Sequence, residues 1–169
     1  MKIRADEHVS REIVRAIREM ALSPDWELTH VIDAGDRGSQ DEHWATKFAK
    51  EGGHAILSGD TDFFKHHQLV AAIGRTGLRV IHLPAKWSNA KCDFQAAHVL
   101  LWWRRIEKTI GSMSPRECYR PPWNLSEEGE LKRVHIDFQN SERYMKRAAK
   151  RAAQRSGNVT PLKIAGDQG

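Results

Sequence analysis

The sequence predicts an α/β domain with a central, mostly parallel sheet and helices on both of its faces. Runs with the length and composition of strands occur four times in the first 83 residues, and each precedes a stretch with apolar residues at helical spacing. Parallel strands need crossover connections, which are usually helices, so this repeated order is typical of the fold class. The length of 169 residues suits one such domain with an extension.

The first two predicted strands flank an amphipathic helix. Residues 2–5 alternate weakly between polar and apolar side chains and end at the acids Asp6 and Glu7. Over residues 9–22 the apolar side chains recur every three or four positions, which predicts a helix, and a Ser-Pro-Asp sequence ends it. Residues 26–32 alternate again and are rich in strand-forming side chains, which predicts the second strand.

A loop with two glycines, residues 33–38, precedes the second predicted helix. Ser39, followed three residues later by Glu42, has the pattern of a capping box, so we expect this helix to begin there and to end at Gly52. The apolar residues 55–58 then predict a buried third strand.

The later elements become less regular towards the C terminus. Three elements continue the repeated pattern: a helix over 66–73 ended by Gly74, a strand over 78–83 and a helix over 91–110. After an irregular stretch from Cys118, two more are expected: a strand within 131–138 and a basic, alanine-rich helix over 141–155. We therefore divide the chain into a domain over 1–112, a C-terminal extension over 113–155 and a tail over 156–169 that is expected to be disordered.

The positive charge of the chain lies almost entirely at its C-terminal end. The formal net charge is +5, and residues 141–169 hold seven basic and two acidic side chains, which leaves twenty of each in the other 140 residues. The body therefore carries no composition signal for nucleic acid. No apolar run approaches the length of a membrane span, the N terminus lacks the apolar stretch of a signal peptide, and the two cysteines are far apart, so we expect a cytoplasmic protein with reduced thiols.

Acidic side chains follow two of the predicted strands and open one of the helices. Asp6 follows the first strand, Asp60 and Asp62 follow the third, and Asp41 and Glu42 lie at the start of the second helix. Ligand sites of open α/β sheets form outside the carboxyl ends of the strands, so we expect these acids to meet there. Several converging carboxylates suit Mg²⁺ or Mn²⁺, which prefer oxygen ligands.

The three acidic motifs resemble those of the compact PIN-like nuclease family. That family has an acid-rich start, a helix that opens with acids and a T-x-D-x-D-F sequence after a strand; here the motifs read Asp6-Glu7-His8, Asp41-Glu42 and Ser58-Gly59-Asp60-Thr61-Asp62-Phe63. The resemblance covers about residues 1–83. The histidine in the first motif and Ser58-Gly59 in the third depart from the family pattern but leave the ligand oxygens in place.

The resemblance implies a three-layer PIN-like fold and a metal-dependent endoribonuclease that acts as the toxin of a toxin–antitoxin pair. It implies that a metal-bound water hydrolyses RNA phosphodiesters and that the following acids bind Mg²⁺ or Mn²⁺ and carry catalysis: Asp6, Asp41, Asp60 and Asp62, with Glu42 able to replace Asp41. RNA is the implied substrate. An antitoxin protein and a second copy of the chain are the protein partners that we consider.

Each acid also has a structural interpretation that the sequence leaves open. Asp6 suits a turn after a strand, Asp41 suits the dipole of a helix N terminus, and Glu42 suits the capping box with Ser39. The segment from Asp60 to Asp62 suits an Asx turn.

Other side chains are candidates for contacts with nucleic acid. We expect Arg37 and the basic helix to contact phosphates, the latter through Arg143, Lys146, Arg147 and Lys150. His8 and His43, each beside a candidate acid, suit a phosphate contact or surface polarity, and adjacent His66 and His67 point in different directions on a helix, which argues against a shared zinc ion. Trp87, Trp102 and Trp103 suit base stacking, although helical spacing favours the core for Trp102.

Two other functions remain open from the sequence. A receiver-like or phosphatase-like domain also gathers aspartates around Mg²⁺, but a receiver needs a lysine at the end of a fifth strand, and only Lys86 follows the fourth. A PIN-like scaffold that binds nucleic acid or a partner without cleavage is the alternative that is not an enzyme.

Overall fold

A computed structural model describes residues 1–36, 38–124 and 129–157, with side chains to residue 154. Within these ranges the chain forms six strands: β1 (Lys2–Ala5), β2 (Glu27–His30), β3 (Ala55–Ser58), β4 (Arg79–His82), β5 (Cys118–Arg120) and β6 (Lys132–Val134). The helices are α1 (Arg11–Met20), α2 (Asp41–Lys50), α3 (His67–Thr76), α4 (Ala85–Ser88), α5 (Cys92–Ser112) and α6 (Phe138–Gly157), with a 3₁₀ turn at Phe63–Lys65.

The strands form one sheet in the order β2-β1-β3-β4-β5-β6, in which only β6 is antiparallel to its neighbour. This arrangement confirms the predicted α/β fold class with a mostly parallel sheet. The chain leaves β1 towards one side of the sheet to form β2 and later returns to the other side of β1 to form β3. Such a reversal opens a crevice between the loops that follow β1 and β3, and ligands bind in this position in open α/β sheets.

Helices cover both faces of the sheet and give the fold three layers. On one face α1, α4 and α5 bury a core with the apolar side chains of β1 and β3, and on the other face α2, α3 and the start of α6 bury a second core. Trp87, Trp102 and Trp103 are fully buried in the first core. The interpretation of these tryptophans as base-stacking residues is therefore wrong, and the core position favoured for Trp102 is confirmed.

The structure moves the boundaries of two predicted helices. Helix α2 begins at Asp41 after Gln40, because the backbone N–H of Ser39 donates to the carbonyl of Asp36 and does not take part in a capping box. Helix α3 continues through Gly74 to Thr76 and is capped by Gly77, whose φ of +78° is the left-handed conformation that favours glycine. Gly74 allows a close approach of α6, since a Cβ there would lie 3.0 Å from the ring of Phe138.

Residues beyond 112 extend the same sheet. Cys118 pairs with Val80, so β5 forms in a stretch that the sequence predicts as irregular. Strand β6 is shorter than predicted because the chain turns at Asp137, whose carboxylate accepts the N–H of Asn140 at 2.9 Å and so begins helix α6 before residue 141. Of the tail over 156–169 that is expected to be disordered, residues 156 and 157 belong to helix α6, and residues 158–169 lie outside the described ranges.

Candidate active site

Two buried carboxylates meet in the crevice between β1 and β3. Asp6 directly follows β1 and Asp60 lies two residues after β3, and each is 8% exposed. The imidazole of His8 spans the gap between them: Nδ1 lies 4.0 Å from Asp6 Oδ2, and Nε2 lies 3.9 Å from Asp60 Oδ1. The side chain of His8 is 58% exposed. The site is therefore a pair of acids below an exposed histidine.

Local backbone holds Asp6 in this position. Its Oδ1 accepts the N–H of His8 at 3.0 Å and the N–H of Gly59 at 3.4 Å. Burial raises the pKa of Asp6 to about 6, against the opposing effects of the Ser58 hydroxyl, His8 and the Gly59 N–H. A Cβ on Gly59 would lie 2.7 Å from the Trp87 ring and 2.9 Å from the His8 carbonyl oxygen. The glycine that departs from the family pattern is thus the residue that fits this space.

Asp60 is held by side chains from three other elements. Its Oδ2 lies 3.0 Å from His66 Nε2, and its backbone N–H donates to Ser58 Oγ at 3.2 Å. Its carbonyl oxygen lies 2.8 Å from His82 Nε2, while His82 Nδ1 lies 2.6 Å from Arg120 Nη2. A guanidinium only donates, so Nδ1 accepts and the proton on Nε2 is donated to the Asp60 carbonyl. Arg120 on β5 therefore sets the tautomer of the histidine that holds this loop.

Asp62 points away from the crevice. Its carboxylate is 55% exposed and lies 2.7 Å from Lys65 Nζ, which lowers the pKa of Asp62. The backbone N–H of Asp62 donates to Asp60 Oδ1 at 2.8 Å, which is the hydrogen bond of the Asx turn that the sequence left open. The structure therefore brings the backbone of Asp62, and not its carboxylate, to Asp60.

Asp41 and Glu42 lie on the far side of His66. Both line a shallow pocket with His66 at the start of α2. Asp41 Oδ1 accepts the indole N–H of Trp44 at 3.2 Å, and Glu42 Oε1 lies 3.8 Å from His43. Glu42 Oε2 is buried and has no hydrogen-bond partner among the described residues. His66 thus stands between the Asp6–Asp60 pair and a second acidic pair.

Arg4 and Asp36 form a buried ion pair that sequence reasoning missed. Arg4 Nη1 lies 3.3 Å from Asp36 Oδ2, and both side chains are at most 8% exposed. Lys47 Nζ on α2 lies 2.8 Å from Asp36 Oδ1. These contacts join β1, the loop before α2 and α2 itself, so they set where Asp41 and Glu42 lie. Arg4 lies within a short strand that is predicted to be buried, and a buried arginine needs an acidic partner, so the sequence did contain a signal for this pair.

The remaining predicted contact residues lie elsewhere. His67 Nδ1 lies 3.2 Å from Ser141 Oγ on α6, so the adjacent histidines have different partners; His66 precedes helix α3, which begins at His67. Arg37 lies outside the described residues. The side chains predicted to hold phosphates on α6 are all exposed: Arg143, Lys146, Arg147 and Lys150.

The donor set fits a small oxygen-preferring cation. In residues 1–36, 38–124 and 129–157, no three acids, histidines or cysteines are already grouped as a metal cluster. Mg²⁺, however, is usually bound by one or two carboxylates and keeps several waters. The buried pair Asp6 and Asp60, with the unpartnered oxygen of Glu42 beyond His66, offers ligands of this kind.

Residues 1–85, half of the chain, match the protein family described as PIN like domain. The chain therefore belongs to the PIN-like domain family, as its three acidic motifs indicate. PIN domains are generally nucleases, which are hydrolases, and they typically use divalent metals. No curated protein and no solved structure matches the chain. No helix in the described part of the chain has the length and apolar character to cross a bilayer.

Replacing Asp6 with asparagine should stabilise the metal-free protein at neutral pH. Burial raises the pKa of Asp6 from 3.8 to about 6. Between these values the folded protein keeps a proton that the unfolded chain releases, so the free energy of unfolding falls as the pH rises through this window. Asparagine carries no charge, and Asp6→Asn should therefore be more stable by about 2–3 kcal/mol at pH 7.5 in EDTA.

Urea unfolding of both proteins from pH 3.5 to 7.5 measures this difference. The gain should disappear below about pH 4, where the wild-type carboxyl is protonated in both states. A variant that is no more stable than the wild type at pH 7.5 would contradict the conclusion that the buried, ionised Asp6 destabilises the folded protein.

Proposed function

We propose that the protein is a Mg²⁺- or Mn²⁺-dependent endoribonuclease that hydrolyses RNA phosphodiesters. The observation that carries the proposal is the pair of buried carboxylates, Asp6 and Asp60, in the crevice between β1 and β3 of a PIN-like domain. Burying two carboxylates close together is costly unless they hold a cation or perform chemistry. The raised pKa of Asp6 reflects the cost of burying its carboxylate.

The side chains divide the work by their positions. Asp6 and Asp60 hold the cation. Asp41 or Glu42, on the other side of His66, provides a further ligand. Asp62 is the last ligand, and its carboxylate must leave Lys65 to bind the cation. When bound, Mg²⁺ or Mn²⁺ supplies Lewis acidity towards a phosphate oxygen and lowers the pKa of water. His8 lies exposed above the acids, where it can contact a phosphate oxygen of the substrate.

The charge distribution supports RNA as the proposed substrate. The phosphates of RNA are held by Arg37, which follows Asp36 in the sequence, and by the exposed basic residues of α6: Arg143, Lys146, Arg147 and Lys150. We also propose that the protein is the toxin of a toxin–antitoxin pair, with an antitoxin that covers the acidic crevice. A second copy of the chain is the other proposed partner.

Removal of divalent metal should abolish cleavage. EDTA should reduce the rate on a labelled RNA by at least about 100-fold, because the two acids repel a phosphate when no cation offsets their charge. Mn²⁺ or Mg²⁺ in excess should restore the rate. A single-turnover gel assay with dialysed protein measures this, and an Asp60→Asn protein purified in parallel controls for contaminating nuclease. Undiminished cleavage in EDTA would contradict the proposal.

A second candidate function is RNA binding without cleavage. It is favoured by the outward position of the Asp62 carboxylate and by the lack of a preformed group of three ligands in the described ranges. Salt-sensitive RNA binding without turnover in any divalent metal would support it. The receiver-like alternative lacks its lysine, since β5 ends at Arg120 and this side chain is turned to His82.

A further inference from the structure

Helix α6 runs towards the candidate active site. Phe138, at its start, packs against Gly74 near the end of α3, and Ser141 contacts His67 at the beginning of α3. The two helices are therefore antiparallel. Because α3 begins beside the crevice, where His66 lies 3.0 Å from Asp60, α6 reaches the edge of the sheet that carries the acids.

The rest of α6 extends beyond that edge as an exposed basic arm. Thirteen residues follow Tyr144 to the helix end at Gly157, which corresponds to about 20 Å at 1.5 Å per residue. The basic side chains recur at helical spacing on one face: Arg143, Lys146, Arg147, Lys150 and Arg151, all exposed. The remainder of the chain up to residue 140 is formally neutral, so this arm is the main attractive surface for a polyanion.

An exposed aromatic ring lies where the arm meets the crevice. Tyr144 is 53% exposed, and its ring centroid lies 4.3 Å from that of His67 with an angle of 35° between the planes. His67 directly follows His66, the partner of Asp60. Tyr144 also shares one side of the helix with Arg147 and Arg151, at spacings of three and seven residues. The ring is thus held against an imidazole, and two arginines follow it on the same side of the helix.

We infer that the arm, residues 143–151 of α6 with Tyr144 at its base, binds single-stranded RNA and leads it into the crevice at Asp60. This inference rests on the proposed function and adds the surface, outside the residues that match the family, on which the substrate is bound. A base of a single strand can stack on an exposed tyrosine, whereas the bases of a duplex are already stacked and out of reach. The basic face holds the phosphates on one side of this base, and the acids lie on the other.

Binding can be measured separately from cleavage. Fluorescence anisotropy with an Asp60→Asn background in EDTA gives the affinity for a 12-nucleotide single strand and for the same sequence as a duplex. Tyr144→Ala should weaken single-strand binding about 10-fold, and Tyr144→Phe should retain it, because stacking needs the ring and not the hydroxyl. Duplex binding should be weaker and insensitive to both substitutions.

Charge removal has a matched control on the opposite face of the sheet. Arg143→Gln with Arg147→Gln should weaken binding and reduce the slope of log affinity against log salt by about one to two. Arg104→Gln with Lys108→Gln removes two exposed charges at the same spacing from α5 and should change neither quantity. Circular dichroism confirms that the variants are folded.

Each outcome is decisive for one of the two proposals. Any of three results would overturn the inference that the arm binds single-stranded RNA. These are equal affinity of the Tyr144→Ala and Tyr144→Phe proteins, equal binding of duplex and single strand, and equal effects of the two pairs of charge substitutions. If the protein binds single-stranded RNA through the arm but cleaves no RNA in any divalent metal, the inference about the arm is supported and the proposed ribonuclease activity is overturned. Cleavage unaffected by every arm substitution would leave the ribonuclease and reject the arm.

Discussion

Asp60→Asn is expected to reduce metal-dependent RNA cleavage by at least about 10³-fold, equivalent to about 4 kcal/mol of transition-state stabilisation. Asp60 is held in the crevice through both its carboxylate and its backbone: the carboxylate lies near His8 and His66, and the carbonyl accepts from His82. Asparagine keeps the shape and the acceptor for the Asp62 N–H but removes the charge that a cation needs. Single-turnover rates with saturating Mn²⁺ measure the loss.

Two substitutions make this result specific. Asp93→Asn removes an exposed carboxylate at the start of α5 and should leave the rate unchanged. Asp62→Asn should cost less than Asp60→Asn, because the Asp62 carboxylate faces Lys65 in the structure. Equal losses for Asp60 and Asp62 would show that the Asp62 carboxylate turns inward when the site works. An unchanged rate for Asp60→Asn would remove Asp60 from the site.

Asp36→Asn should destabilise the protein by about 3 kcal/mol, the largest effect that we expect on stability. The substitution leaves Arg4 without its buried counter-charge, and the exposed Glu51, 3.3 Å from Arg4 Nη2, replaces it only in part. It also frees Lys47 from the loop before α2. Urea unfolding at pH 7.5 measures the change in the free energy of unfolding.

An exposed ion pair supplies the matched control. Asp33 Oδ1 lies 2.7 Å from Arg11 Nη2, closer than the atoms of the buried pair, but the two side chains are 41% and 56% exposed. Asp33→Asn should therefore cost less than about 1 kcal/mol. If the two substitutions cost the same, burial is not what gives the Arg4 and Asp36 pair its importance.

The sheet and the position of its acids could be predicted because they depend on local patterns. A short apolar run followed by small or acidic residues marks the end of a buried strand, and parallel strands end at the same edge of a sheet. Asp6 and Asp60 meet in the structure for this reason. The prediction that Asp41 and Glu42 lie nearby also needs only the position of a helix start.

The groups that hold the acids could not be predicted, because they depend on contacts between distant parts of the chain. Arg120 belongs to a three-residue strand followed by two prolines, too short to show a period. His66 reaches Asp60 only through the 3₁₀ turn between them. Ser39 has a suitable side chain for a helix cap, but the Asp36 carbonyl takes its N–H while the Asp36 side chain is held by Arg4.

The contact between Arg120 and His82 keeps the hydrogen bond from His82 to the Asp60 carbonyl in place while Asp6 takes up a proton. Burial lowers the pKa of His82, and the positive charge of Arg120 lowers it further. As a solution becomes mildly acidic, His82 therefore keeps one proton, on Nε2, and its bond to the Asp60 carbonyl persists. Asp6, with a pKa of about 6, takes up a proton over the same range. In the metal-free protein, mild acid therefore neutralises the Asp6 carboxylate while the hydrogen bond from His82 to the Asp60 carbonyl remains.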